Sequence, residues 1–373
     1  MKVTYFSKSS VRGPSSRYRI YQFLPYLDAA GIECSVRPLL AEKYFSLLEI
    51  QNSFLRALGK VIYVGTRFLR RAWDLITLGR PDLIVIEGQL FPYCPSWPER
   101  VLRWLGTRLV FEYDDAIYLT RFHQRKIPSL MQLSAGVVVG NHVLATYAKQ
   151  FAPNVTMIPT VVDTERFTPL RLPNSGDSRR SNQPVTVVWI GLSYNFPYLE
   201  VLAPALQRLQ RECQVRFRVV SSRPPTLPGV NVEFVPWEFQ TEVASLQDCH
   251  IGVMPLPDTE WARGKSGLKL LQYMAVGIAA VASPVGVNQE IITSGENGLL
   301  ASTAQDWSDS LIRLCRDAEF RIRLGEAGRR TVEERYALKL WGPRLAQSYQ
   351  MIAGRTGSLE VGPSVDQSIK RCA

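Results

Sequence analysis

The sequence predicts an α/β protein built from two Rossmann-like, doubly wound domains that face each other across a cleft. Three observations lead to this prediction. Short apolar runs alternate with helical patterns in both halves of the chain. An aperiodic segment rich in Pro, Ser, Asn and Arg separates the halves. A length of 373 residues suits two domains. Strands that alternate with helices form parallel sheets covered on both faces.

The expected strands are short, apolar runs of the kind that lie buried inside a parallel sheet. In the first half they are residues 3–7, 83–86, 109–113 and 136–139. In the second half they are residues 185–190, 217–220, 232–235, 251–255 and 279–283. The expected organisation is a first domain at 1–167, a linker at 168–184, a second domain at 185–335, a closing helix at 336–353 and a mobile tail at 354–373. We expect that helix to be interrupted at Gly342-Pro343.

The composition excludes several classes of protein. Apolar residues make up 46% and charged residues 21%, which excludes a disordered chain, a collagen-like chain and a small disulfide scaffold. The six cysteines are scattered and the three histidines are not paired at ligand spacing, so we expect a reducing compartment and no metal site. The first residues carry no apolar segment typical of a signal peptide, which favours a cytoplasmic location.

The net charge of +11 indicates an anionic partner. Residues 1–167 hold 21 Lys and Arg against 13 Asp and Glu, a net of +8, and the remainder carries +3. The first half is therefore expected to offer any anion-binding surface. A recognition motif for nucleic acid is missing, which argues against nucleic-acid binding. The first strand is not followed by GxGxxG, which argues against a nicotinamide-dependent dehydrogenase.

Residues 54–76 predict a long amphipathic helix. Its basic residues fall in a narrow arc at about 100° per residue: Arg56, Lys60, Arg67 and Arg71, with Arg70 adjacent. The apolar residues lie opposite and are expected to pack on the sheet. The basic face is then either simply solvated or docked on anionic lipid headgroups, where each basic residue contributes about 1 kcal/mol.

The segment after the strand at 251–255 is the most informative part of the chain. An acidic loop leads into a glycine-rich, basic run that opens a helix: Arg263, Gly264, Lys265, Ser266 and Gly267. A helix N-terminus offers free N–H groups and a positive dipole end. Lys265 and Lys269 are four residues apart and share a face near that end. The combination suits a diphosphate, and the alternative is an ordinary solvated helix start.

Polar residues also follow the strands of the first half, where ligands of doubly wound sheets bind. Gly13, after the first strand, permits close backbone approach. Arg17 and Arg19 are candidates for an anionic group, or else surface arginines of a helix. Glu87 ends the strand near residue 86. The pair Asp114-Asp115 follows the strand at 109–113.

The segment 272–300 resembles the C-terminal signature of family-4 retaining glycosyltransferases, which have the GT-B fold. The positions in register are 272–277, 281–283, Gly286, Glu290 and Asn297-Gly298. Segments 111–118 and 137–169 resemble parts of the N-terminal domain of these enzymes. The resemblance extends over nearly the whole chain, to about residue 353.

The resemblance implies transfer of a sugar from a nucleotide-diphosphate sugar to a glycan or lipid-linked acceptor. It further implies retention of configuration, no metal and no cofactor besides the donor substrate. The setting would be cell-surface polysaccharide or glycolipid synthesis in the cytoplasm, peripherally at the inner face of the membrane. In this fold the closing helix crosses back to the first domain.

Site residues follow from the motif and its resemblance together. Lys265 and Lys269 would stabilise the leaving diphosphate, and Asp258 or else Glu260 would contact the donor sugar. The expected donor-binding residues are Gly191, Arg263, Gly264, Ser266, Gly267, Gln272 and Glu290. The expected acceptor-side residues are Gly13, Arg17, Arg19, Glu87, Asp114 and Asp115.

The sequence departs from the family pattern at two glutamates, whose positions hold Gly264 and Gln272. The usual Arg and Lys after the first strand of the second domain are also missing. Lys265 and Lys269 would supply the positive charge, and Gln272 can still hydrogen-bond a ribose hydroxyl. The alternative hypothesis is an inactive GT-B scaffold or partner protein of a polysaccharide pathway.

Overall fold

The computed structural model describes residues 1–48, 52–170 and 184–355. Its strands form two parallel six-stranded sheets. The first sheet contains β1 (Lys2–Phe6), β2 (Glu33–Val36), β3 (Leu83–Glu87), β4 (Leu109–Tyr113), β5 (Gly136–Val139) and β6 (Val155–Met157). The second contains β7 (Val185–Ile190), β8 (Val215–Ser221), β9 (Val232–Pro236), β10 (Ile251–Met254), β11 (Ala279–Ala282) and β12 (Leu299–Leu300). The predicted fold class is confirmed.

The nine predicted strands all exist, within two residues of their expected ends. The sequence prediction missed β2, β6 and β12. All three are edge strands. The strand order is β2-β1-β3-β4-β5-β6 in the first sheet and β12-β11-β10-β7-β8-β9 in the second. β6 and β12 have only three and two residues, and β2 is partly exposed throughout. Such strands lack the continuous apolar run that marks a buried strand.

Helices separate the strands and cover both faces of each sheet. Those of the first half are α1 (Pro14–Arg19), α2 (Leu24–Ala29), α3 (Glu42–Leu48), α4 (Ser53–Ile76), α5 (Trp97–Trp104), α6 (Lys126–Leu133) and α7 (His142–Ala148). Those of the second half are α8 (Phe196–Glu200), α9 (Ala203–Glu212), α10 (Ala244–Gln247), α11 (Glu260–Arg263), α12 (Leu268–Ala275), α13 (Asn288–Ile291), α14 (Ala304–Arg316) and α15 (Ala318–Arg335). Each sheet with its helices is called a domain below.

The last helix, α16 (Leu338–Ile352), returns to the first domain, where Leu345 and Tyr349 join the core around Val3 and Tyr5. The predicted interruption at Gly342-Pro343 is wrong, because α16 runs through Pro343. The helix instead breaks between α15 and α16, around residues 336–337. Gly342 serves close packing, since a Cβ there would lie 2.3 Å from the Tyr26 ring of α2.

The orientation of α4 reverses the one predicted. Its basic side faces the protein: Arg67 donates to the carbonyl oxygens of Pro38 and Leu39, and Arg71 is buried, donates to the Ser7 carbonyl and lies over the Phe6 ring. The apolar side is exposed. Arginine stems can cover apolar surface while their guanidinium groups satisfy buried carbonyls. The expectation of a solvated basic face is therefore wrong for these two arginines.

No helix in the part of the chain that the structure describes is long and apolar enough to cross a membrane. Most of the expected linker at 168–184 and of the expected tail at 354–373 lies outside the described residues.

Candidate active site

The carboxyl ends of the two sheets face each other, and the loops that follow their strands form the cleft between the domains. The two domains are in direct contact there. Asn141, which follows β5, donates from Nδ2 to the Gly264 carbonyl at 2.9 Å. Tyr18 of the first domain joins the core of the second, and Trp261 packs against the core of the first. The arrangement is therefore a closed one.

Residues 263–267 lie at this contact. A Cβ added to Gly264 would come within 2.7 Å of the Ala116 Cβ in the first domain. A Cβ on Gly286, on the other side, would come within 2.5 Å of the Arg263 carbonyl oxygen. Because both contacts are closer than real Cβ atoms allow, glycine is required at each. A glutamate, which the resemblance leads one to expect at position 264, would not fit this closed arrangement.

Two lysines project from this segment and the helix it opens. Lys265 lies with its Nζ 4.0 Å from Asp115 Oδ1 and faces the Tyr198 and Trp261 rings. Lys269, on α12, lies with its Nζ 5.4 Å from the centre of the Trp189 ring. The structure thus brings the two predicted catalytic lysines together at the cleft, under aromatic side chains.

Gly191, which follows β7, makes room for Lys269. A Cβ at this position would lie 2.6 Å from Lys269 Cε. The predicted donor-binding glycine is therefore in contact with a predicted catalytic lysine. Gly267 is the N-cap of α12 with φ +71°, a left-handed conformation that favours glycine.

The two lysines repel each other electrostatically, and Asp115 offsets this repulsion only in part. Burial and the neighbouring charge of Lys265 lower the pKa of Lys269 to about 8, and Asp115 only partly opposes this. Burial and the neighbouring Asp114 raise the pKa of Asp115. A bound anion beside two cations would relieve their mutual repulsion.

The first domain presents carboxylates to the cleft. Glu87, at the end of β3, is buried and accepts from Ser16 Oγ at 2.6 Å and from the Lys8 N–H at 2.9 Å. Asp114, after β4, accepts from Ser15 Oγ at 2.8 Å. Burial raises the pKa of Glu87, and Asp114 adds to the rise.

The predicted arginines of α1 are committed to internal partners. Arg19 is fully buried, pairs with Glu112 at 2.9 Å and donates to the Ile158 carbonyl at 2.6 Å. Arg17 pairs with Glu242 of the second domain at 3.0 Å. Neither guanidinium is available to a ligand in this arrangement. Gly13, next to α1, packs on Ser9 and caps the helix.

A buried polar network joins the domains behind the lysine pair. Glu242 accepts from Arg17, Arg166 and Gln272, at 3.0, 3.0 and 3.2 Å. Gln272 also donates to the Tyr18 hydroxyl at 2.9 Å. The amide N–H groups of Gln272 thus hold the domains together in this state.

The remaining predicted residues lie at the surface. Asp258 forms an exposed bidentate pair with Arg263, at 2.6 and 2.9 Å, so it does not reach toward the lysines. Glu290 pairs with His142 of the first domain at 2.5 Å, and this hydrogen bond raises the pKa of His142. Ser266 is half-buried within the glycine-rich segment.

Several cleft residues were missed by the sequence prediction. They are Lys8, Ser15, Ser16, Asn141 and Glu242. Lys8 and Asn141 lie two residues after the ends of β1 and β5, so their strand-end position was a usable signal. Glu242 lies in a loop and carries no comparable signal. Among the described residues, no three His, Cys, Asp or Glu side chains cluster as a metal site would require.

Residues 184–317 match a family model described as glycosyl transferases group 1. The match covers the second sheet and the lysine pair. This part of the chain is a group 1 glycosyltransferase domain. The whole described fold agrees with this, because GT-B glycosyltransferases share its two facing parallel sheets.

Solved structures give the same fold at low sequence identity. Sucrose-phosphate synthase from Thermosynechococcus elongatus is 15% identical, covers 95% of this chain and 100% of its own, and has a TM-score of 0.69. Anabaena HepE in complex with UDP and glucose is 15% identical, covers 94% and 100%, and has a TM-score of 0.71. A glycosyltransferase from Rickettsia africae is 15% identical, covers 95% and 99%, and has a TM-score of 0.69. No curated protein matches the sequence.

Proposed function

We propose that this glycosyltransferase moves a sugar from a nucleotide-diphosphate sugar to a glycan or lipid-linked acceptor. One observation carries the proposal: Lys265 and Lys269 converge at the start of α12, in the closed cleft, with one lowered lysine pKa. Two close cations, which Asp115 offsets only in part, are suited to a diphosphate. HepE, a structural neighbour, binds UDP and UDP-glucose, so uridine is the first base to test.

The diphosphate is proposed to lie against the N-terminus of α12, with Lys265 and Lys269 beside it. The free N–H groups of that end and the two ammonium groups would stabilise the charge that develops on the leaving group. Gly191 lets Lys269 pack against its backbone, and Gly267 adopts the left-handed conformation that begins α12. Gln272 is proposed to turn from Tyr18 toward a ribose hydroxyl when the donor is present.

The sugar itself is proposed to lie between the lysine pair and the carboxylates of the first domain. Asp115 faces Lys265 across the cleft and can accept hydrogen bonds from sugar hydroxyls. It would take the place of the carboxylate that Gly264 cannot provide. Asp114 and Glu87 are proposed to orient the acceptor. Closure of the domains would exclude water from the anomeric carbon.

Retention of configuration, independence from metals and a role in cell-surface polysaccharide or glycolipid synthesis at the inner face of the membrane complete the proposal. Retention rests on the resemblance of residues 272–298 alone. NMR of the released sugar tests it, because the first-formed anomer would match the donor. Activity that survives excess EDTA supports metal independence, and activity that needs added Mg²⁺ or Mn²⁺ contradicts it.

Thermal unfolding in the presence of UDP, GDP, ADP and their glucose conjugates tests the donor class. A ligand that binds the folded state raises the Tm with its concentration. We expect a rise with at least one uridine nucleotide, and no rise in the variant Lys265→Ala/Lys269→Ala. The matched control is Lys149→Ala, which removes an exposed lysine far from the cleft. A Tm that no nucleotide changes would contradict the proposal.

A further inference from the structure

One side of α4 is apolar and exposed. Eight of its side chains have between 47% and 76% of their surface accessible: Phe54, Leu55, Leu58, Val61, Ile62, Leu69, Trp73 and Ile76. At about 100° per residue they fall within roughly one third of the helix circumference. The stripe extends over six turns of the helix. An ordinary surface helix shows the opposite arrangement, with its apolar stripe toward the core.

Helix α5 carries a second group of exposed apolar side chains. Leu75 of α4 and Leu78, just after this helix, share a core cluster with Leu102 of α5, so both helices cover the same core of the first domain. The exposed side chains in and just after α5 are again large and apolar: Trp97, Val101, Trp104 and Leu105. These four and the eight of α4 are called the apolar face below.

The exposed charges of α4 and α5 have one sign. The carboxylates of the two helices, Asp74 and Glu99, are both buried and pair with Arg70 and Lys126. The exposed charged side chains of these helices are basic: Arg70, Arg100 and Arg103. Among the described residues, Arg100 and Arg103 have no carboxylate partner.

The fold itself explains why this face is not part of the core. The side of α4 that meets the protein is held by Arg67 and Arg71, which bind loop and strand carbonyls. Rotating the helix to bury the stripe would break these bonds and expose buried polar groups of the first domain. An exposed apolar stripe that runs along six turns of a helix marks an interaction site.

We propose that the apolar face inserts into the interfacial region of an anionic lipid bilayer. Tryptophan and arginine beside aliphatic side chains are the composition that favours this region. The exposed charged side chains of the two helices are basic and complement anionic headgroups. In a symmetric dimer through this face, Arg100 and Arg103 would lie near the same arginines of the second copy. Repulsion between these like charges disfavours such a dimer. This inference rests on the proposed function in one respect, namely that a lipid-linked acceptor would explain why the enzyme binds a membrane. Vesicle binding itself can be measured without sugar transfer.

Co-sedimentation of the full chain with vesicles tests the inference. We expect binding to phosphatidylglycerol–phosphatidylcholine vesicles and much weaker binding to phosphatidylcholine alone. Val61→Ser/Leu69→Ser/Trp73→Ser should lower partitioning at least tenfold. Arg100→Gln/Arg103→Gln should lower it on anionic vesicles by roughly thirtyfold, from about 1 kcal/mol for each charge, and leave binding to neutral vesicles unchanged. In a variant that keeps Trp73 as its one tryptophan, a blue shift of the fluorescence emission on vesicle addition would show that this side chain inserts.

The matched control is Val201→Ser/Met351→Ser, which removes exposed apolar side chains elsewhere and should bind vesicles as the wild type does. Unchanged Tm and UDP binding in every variant keep folding and the donor site apart from lipid binding. Wild-type-like partitioning of the Val61, Leu69 and Trp73 variant, or no binding by the wild type, overturns the inference. So does a dimer in analytical ultracentrifugation that this variant dissociates, because the face would then be a contact between copies.

Discussion

The two domains contribute mainly opposite charges to the cleft, and the acidic edge belongs to the half with the larger basic excess. The first half carries a net charge of +8, but its cleft edge presents Glu87, Asp114 and Asp115 around Lys8. The second half has a smaller excess of +3, but its edge presents Lys265 and Lys269. Many basic residues of the first domain lie away from the cleft. Arg19, Arg67 and Arg71 bind groups of the domain itself, and other arginines lie beside the apolar face.

The comparison shows that the net charge of a segment does not locate its anion site. What matters is which side chains follow the strands, because those positions meet at the cleft. The cationic edge is expected to bind the leaving group, and the acidic edge to orient hydroxyl groups. The predictions below test this division, beginning with the largest expected effect.

Removing the cationic edge should have the largest effect. We expect Lys265→Ala/Lys269→Ala to lower kcat/KM by about 10³-fold or more, since one stabilising group at a developing charge contributes about 10²–10³. Initial rates at low donor concentration measure this loss. Lys339→Ala, another exposed lysine, is the matched control. A loss of less than tenfold would mean that the lysines are not the main groups that stabilise the leaving group, and would contradict the proposed division between the two edges.

Cutting the network that joins the edges should destabilise the fold. Glu242 is buried between Arg17 and Arg166, and removal of one partner leaves buried charge without compensation. We expect Glu242→Ala to lower the free energy of unfolding by about 3–5 kcal/mol, measured by urea denaturation. Exposed Glu296→Ala should change it by less than about 0.5 kcal/mol. Equal stability of the two variants would mean that the domains are not coupled here.

Enlarging the contact residue should separate closure from donor binding. A Cβ at Gly264 would meet Ala116 of the acidic edge, so Gly264→Ala should hinder closure. We expect kcat to fall about tenfold while the affinity for UDP, held by the second domain, stays within about twofold. Gly65→Ala, with open space around it, is the control. A variant that loses UDP affinity and keeps kcat would place the donor against the first domain instead.

The smallest expected effect is a pH dependence of donor binding. Lys269 has a pKa near 8 in the free protein, and only its protonated form attracts a phosphate. Below pH 8 the charge is present and affinity for UDP should be flat; above pH 8 a proton must be taken up, and affinity should fall by up to about tenfold per unit. Calorimetry across this range measures it. Lys269→Arg should remove the decline up to pH 10, and an unchanged profile would assign it to another group.

Much of the fold was readable in the sequence, because buried parallel strands need continuous apolar runs. For this reason the sequence predicted β3, β4 and β7 close to their observed bounds. The glycine-rich, basic start of α12 likewise indicated the cationic edge from the sequence alone. Short edge strands such as β6 gave no such signal. The functional assignments of Asp258 and Gln272 came from motif position, which does not specify the partner that each side chain finds.

Tertiary structure alone decided which face of each element points inward. The pattern of α4 is equally amphipathic in either orientation, and only the carbonyls of Pro38, Leu39 and Ser7 select the one with arginines inside. Arg17 likewise reads as a free cation until Glu242, 225 residues away, is placed beside it. Periodicity and strand ends are local properties that a sequence contains, whereas the pairing of charges across a cleft depends on distances that exist only once the chain has folded.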